Sequence, residues 1–178
     1  MIIKIPKLFK GNNYVDIVVL ASVFLLGLTP LTTSAKEKSV YGYLEPVVLY
    51  PDKIPLIAKL DTGAVTASLS ATDIYLYKKN GKRYVKFKVS HPKIEKTLKY
   101  DLPVVRIAKI KNRASEEKSE SYDPRPVVKM PIYFDGRLYD IAVNLIDRTH
   151  FTAPMLLGRK ALDKLNAVVD GTTKYTIQ

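Results

Sequence analysis

Cysteine and tryptophan are absent from the 178 residues, and histidine occurs only twice. Without cysteine there is neither a disulfide framework nor a thiolate metal site, so stability must come from a packed core even in an oxidising compartment. The two histidines, His91 and His150, are far apart in the chain, and no His-Glu-x-x-His helix accompanies them. That removes the usual pattern of a zinc peptidase, and no metal is expected. A Gly-x-x-x-x-Gly-Lys-Ser/Thr loop is also missing, which excludes nucleotide binding by that route; no cofactor is expected. Acidic residues are scarce beside basic ones, 17 against 29, for a formal charge of +12.

The longest apolar run, Ile17 to Leu28, has 12 residues, whereas a membrane-spanning helix needs roughly 20. Lys4, Lys7 and Lys10 precede it, Pro30 breaks it, and Thr33, Ser34 and Ala35 supply a small-residue cleavage site. Residues 1–35 are therefore expected to be an export signal cut after Ala35; the alternative is an uncleaved inner-membrane anchor over residues 15–31. The remainder, 36–178, has the size of one domain. Three lysines and Asp16 fall in the leader, which leaves a formal +10 on that domain. A periplasmic or secreted location follows, and with it no nucleic-acid partner. Anionic envelope surfaces and acidic polypeptides fit such a charge better.

Hydrophobic alternation dominates the domain. Asp73 to Lys79 and Lys82 to Val89 flank Asn80-Gly81, and Val127 to Phe134 and Arg137 to Ile146 flank Asp135-Gly136; both read as hairpins with tight turns. Val40 to Tyr50, Ile54 to Leu60, Val65 to Ala71, Lys99 to Ile110, Ala167 to Asp170 and Lys174 to Ile177 read as further strands. Residues 111–124 are polar and of mixed charge, hence a long exposed loop or hairpin tip. One helix is expected, over Arg159 to Leu165, amphipathic through Ala161, Leu162 and Leu165.

Asp61, Thr62, Gly63 and Ala64 follow the Ile54 to Leu60 strand. A carboxylate at a strand end, a hydroxyl that can lock a turn and a glycine free in its backbone angles are what an exposed, rigid catalytic aspartate requires. Far along the chain, Met155, Leu156, Leu157, Gly158 and Arg159 lead into the helix. Together these two segments resemble the retropepsin-like aspartic proteases. Leu60 to Ala71, Arg125 to Val128, Asp147-Arg148 and Met155 to Leu162 are similar to a bacterial branch often labelled "ATP-dependent zinc protease", over about residues 40–175.

The resemblance implies a mostly β fold, a retropepsin-like closed β-barrel or sandwich with one short C-terminal helix. It implies Asp61 as catalytic residue, Thr62, Gly63 and Ala64 as the active-site turn, and Leu156, Leu157 and Gly158 as the segment lying beside it. Since the chain carries one such turn, it also implies a homodimer in which Asp61 of each copy meets at the axis, cleaving a peptide or protein substrate held as a strand. Asp147-Arg148 is a candidate ion pair supporting the site, with Arg125 nearby. Either the Asn80-Gly81 hairpin or the 111–124 segment would be the flap. The alternative is a non-catalytic binding module on the same fold, holding an anionic envelope polymer or partner protein through its basic surface.

Overall fold

The computed structural model describes residues 37–111 and 122–177; the leader and most of the polar segment 111–124 lie outside the described residues. Eleven strands and one helix follow in order: β1 (Ser39–Gly42), β2 (Leu44–Leu49), β3 (Ile54–Asp61), β4 (Ala67–Lys79), β5 (Lys82–Val89), β6 (Leu98–Pro103), β7 (Arg106–Lys111), β8 (Tyr122–Phe134), β9 (Arg137–Ile146), β10 (Met155–Gly158), α1 (Arg159–Leu165) and β11 (Ala167–Asp170). Six of the strands close on themselves in the order β10, β3, β2, β8, β9, β4 and back to β10, making a closed barrel. The described residues are thus mostly β with one short helix.

Period-two burial builds the barrel. In β3, Ile54, Leu56, Ala58 and Leu60 point into the core while Pro55 and Lys59 point out, and Asp61 follows on the outward face at the strand end. Phe134, Leu49, Leu69, Met130, Ile132 and Leu157 fill the interior with almost no exposure. Both sharp turns form as the sequence predicts, with positive φ at Asn80 and Gly81 and at Asp135 and Gly136.

Two sequence expectations need revising. Val65 to Ala71 and Asp73 to Lys79 are not separate strands but one 13-residue strand, β4. A register irregularity between Thr72 and Tyr75, with Asp73 at φ 52, bends it out of the barrel. Its first half pairs with β9 and β10, and its second half carries β5 and β6 as a projecting antiparallel sheet. Lys174 to Ile177 forms no strand: one backbone bond, from the Tyr175 N–H to the Leu44 carbonyl at 2.8 Å, and the Glu45 side chain hold it. Glu45, fully buried, accepts from the backbone N–H of Gly42 (2.7 Å), Thr176 (3.0 Å) and Ile177 (3.2 Å) and from the Thr176 hydroxyl (2.7 Å). A carboxylate with that many donors needs no cation to stay buried.

Candidate active site

Asp61 ends β3 and is half-buried. Its Oδ1 accepts from the Gly63 N–H at 2.9 Å, and the Ala64 N–H reaches back to the Asp61 carbonyl at 3.3 Å, so the turn fixes the carboxylate. β10 is wedged beside it, parallel to β3 and antiparallel to β4, with Leu157 opposite Leu60 and Gly158 opposite Asp61. Leu157 is core and Leu156 half-buried. A Cβ on Gly158 would lie 2.7 Å from the Thr66 carbonyl oxygen and 2.8 Å from that of Ala64, so only glycine lets the two segments approach this closely.

The start of α1 completes the clamp. Backbone N–H groups of Arg159 and Lys160 donate to the carbonyls of Ala64 (2.8 Å) and Val65 (3.1 Å), and Arg159 Nη1 donates to the Thr62 carbonyl at 2.8 Å. Three backbone carbonyls, those of Thr62, Ala64 and Val65, are thereby spoken for, while the Thr62 side chain stays exposed. The structure brings together every residue of the two sequence motifs.

Asp61, Ala64 and Val65 form the floor of an open cleft of about 910 Å³. Its walls come from Arg106, Lys109 and Ile110 of β7, Arg125 of β8 and Phe151. The hairpin that faces the site is therefore β7–β8, whereas the Asn80-Gly81 tip does not line it. Three cations around one carboxylate make the cleft positive. Arg125 Nε is paired with Asp123 Oδ2 at 2.7 Å. Sequence reasoning missed Arg106, Lys109 and Phe151, since strand pairing between distant segments puts them here and no local pattern marks them.

Asp147 and Arg148 are not an ion pair. Leaving β9, they point opposite ways: Asp147 is exposed and Arg148 buried. Asp147 Oδ1 accepts from the Thr149 N–H at 2.8 Å, and that bond, with the Thr149 hydroxyl, holds the carboxyl below its ordinary pKa. Arg148 instead donates through Nη1 to Ser68 Oγ (2.9 Å) and through Nε to the Ala153 carbonyl (3.2 Å), with its guanidinium 4.5 Å from the Phe151 ring centre. Burial is the main cause that lowers its pKa; Arg125 adds to it and Asp61 opposes it.

His91 ties down the same loop. Its Nδ1 accepts from the Lys93 N–H at 3.1 Å, which leaves Nε2 as donor to the Phe151 carbonyl at 3.1 Å. With both ring nitrogens committed, His91 is poorly suited to be a metal ligand, and among the described residues no group of three or more His, Asp or Glu side chains could hold an ion.

Comparison with known proteins agrees with this geometry. Residues 40–178 match the family described as RimB-like, retropepsin-like aspartic endopeptidase RimB. A crystal structure of a protein of unknown function from Legionella pneumophila subsp. pneumophila str. Philadelphia 1 superposes with a TM-score of 0.65 at 31% identity, covering 81% of this chain and 100% of that one. A protein named "Probable alpha-L-glutamate ligase" from Desulfotalea psychrophila is 30% identical over 112 residues. That match takes in 61% of this chain but only 23% of the relative. On the match over residues 40–178, the chain belongs to the RimB-like family of retropepsin-like aspartic endopeptidases.

Proposed function

We propose that two copies of this chain form a symmetric dimer that hydrolyses peptide bonds through its paired Asp61 side chains. The observation that carries this reading is the Asp61 carboxylate, immobilised by the Gly63 N–H and the Gly158 wedge at the floor of an open cleft, once per chain. Two carboxylates about 3 Å apart cannot both ionise, so the pair shares one proton. The ionised member takes a proton from water while the water oxygen bonds to the scissile carbonyl carbon. The protonated member donates to the carbonyl oxygen. Collapse of the tetrahedral species breaks the C–N bond, the nitrogen leaving with a proton from the dyad.

Substrate lies extended across the cleft, with main-chain hydrogen bonds to its walls and alternate side chains in pockets. Arg106, Lys109 and Arg125 favour acidic peptides by charge complementarity. An N-terminal export signal puts this activity in the envelope or outside the cell. The alternative, a binding module, would be favoured by a salt bridge locking Asp61; among the described residues none does so.

Subunit mixing tests the reading. Adding excess Asp61→Asn chain to wild type should suppress cleavage as mixed dimers form, and cleavage per chain should fall on dilution below the dimer dissociation constant. A monomer in sedimentation whose activity is unaffected by dilution or by the inactive chain would overturn it.

A further inference from the structure

An antiparallel sheet with one buried face ordinarily turns polar side chains outward. The projecting sheet of β4, β5 and β6 departs from that rule. Its inner face belongs to the core through Val85, Phe87 and Val89. On its outer face, cross-strand pairing sets Tyr77 opposite Tyr84, Tyr75 opposite Lys86, Lys79 opposite Lys82, and Lys88 opposite Lys99. The tyrosines form a ladder, with ring centres 6.2 Å apart from Tyr75 to Tyr77 and 5.8 Å apart from Tyr77 to Tyr84, and Tyr75 is 64% exposed. This face therefore presents a strip of aromatic surface among lysines.

Beside the ladder lies a recess of about 330 Å³, lined by Lys86, Lys88 and Lys99 together with Asp73 and Asp101. Both carboxylates are engaged, Asp73 by Lys88 and Asp101 by the Tyr77 hydroxyl at 2.7 Å. Lys86 lies over the Tyr77 ring, and neither it nor Lys99 is paired with a carboxylate among the described residues. A soluble polyanion would need only the cations. Tyrosine rings with an apolar body and a wet hydroxyl suit the boundary between water and lipid, where lysine stems lie along apolar surface and their ammonium groups meet headgroup phosphates. We infer that the outer face of this sheet docks on an anionic lipid bilayer, with the tyrosine ladder at headgroup depth and a lipid phosphate in the recess between Lys86 and Lys99. None of these residues lines the Asp61 cleft, so docking leaves the cleft open. The inference goes beyond the peptidase reading and does not depend on it.

Because the chain has no tryptophan, Tyr75→Trp supplies a single fluorescent reporter on the docking face, and Tyr133→Trp, on exposed β8 surface, supplies the control. The full chain is used, so any attachment through residues 15–31 is common to every arm. Vesicles of about one-third phosphatidylglycerol in phosphatidylcholine should shift the emission of the Tyr75→Trp chain to the blue and leave that of the Tyr133→Trp chain in place. Pure phosphatidylcholine should shift neither. Replacing Lys79, Lys82, Lys86 and Lys99 by Gln in the Tyr75→Trp chain should weaken the lipid titration about 100-fold or more. The same charge change at Lys59, Lys96, Lys129 and Lys174, exposed positions elsewhere, should cost no more than about threefold. Equal shifts at the two reporters, no shift at either, or equal losses in the two lysine sets would overturn the docking face. A shift produced by heparin but not by vesicles would give the face to a soluble polyanion and overturn it as well.

Discussion

Gly158 stands opposite Asp61 in the parallel pairing of β10 with β3, so close to the turn that a Cβ there would lie 2.7 Å from the Thr66 carbonyl oxygen. Backbone on both sides leaves no side chain that can swing away. Gly158→Ala should therefore destabilise the domain by about 2 kcal/mol and, by displacing Asp61, lower kcat much more than it raises KM. Chemical denaturation and cleavage kinetics check the two parts.

Glu45 buries its carboxylate against three backbone N–H groups and a hydroxyl, holding residues 176 and 177 to the start of β2. Glu45→Gln puts an NH₂ group where N–H donors already point. A loss of about 2–3 kcal/mol is expected, with faster amide exchange over 172–177 than in the wild type. Unchanged exchange there would show that the tail is held by something else.

Tyr100 is half-buried and donates to Asp52 Oδ2 at 2.8 Å. Burial first, then that bond, raise its pKa well above the ordinary 10.0. Tyr77 is pushed up to about 12 by its bonds to Asp101. In the sense of linkage, a raised folded pKa gives stability that is complete below the unfolded value and lost as pH rises through the folded one. Wild-type stability should thus fall above about pH 10, and Tyr100→Phe should fall less steeply there. Denaturation midpoints from pH 8 to 11.5 measure this; parallel curves would contradict it.

Local chemistry makes much of this fold legible in the sequence. The Asn80-Gly81 and Asp135-Gly136 turns follow from residues that tolerate positive φ, and β3, β5, β8 and β9 follow from alternation. Asp61 and Gly158 are legible as motifs, and the helix as an amphipathic run. What stays hidden depends on contacts between distant segments. Glu45 meets Thr176 from 131 positions away, and nothing near Glu45 announces it. Adjacent in sequence, Asp147 and Arg148 invite the reading of a pair, yet successive residues leaving a strand face opposite ways and one of them is buried. The cationic cleft wall of Arg106 and Lys109 becomes visible only once β7 is paired with β8.

His91 engages Lys93 and Phe151 through both ring nitrogens. His91→Ala should free the loop carrying Arg148 and Phe151, raising KM for acidic peptides several-fold while a chelator has no effect on either protein. A chelator that abolishes activity would show that a metal takes part.

The central claim is that Asp61 is the group that activates water. Asp61→Asn keeps the bond from the Gly63 N–H and adds no bulk, so its folding and dimerisation should match the wild type. Cleavage of a diverse peptide library by the two proteins, with chelator present throughout, is the direct measurement. The account predicts cleavage by wild type and a loss of at least about 10³-fold in kcat/KM for the variant; equal cleavage by both proteins would contradict it.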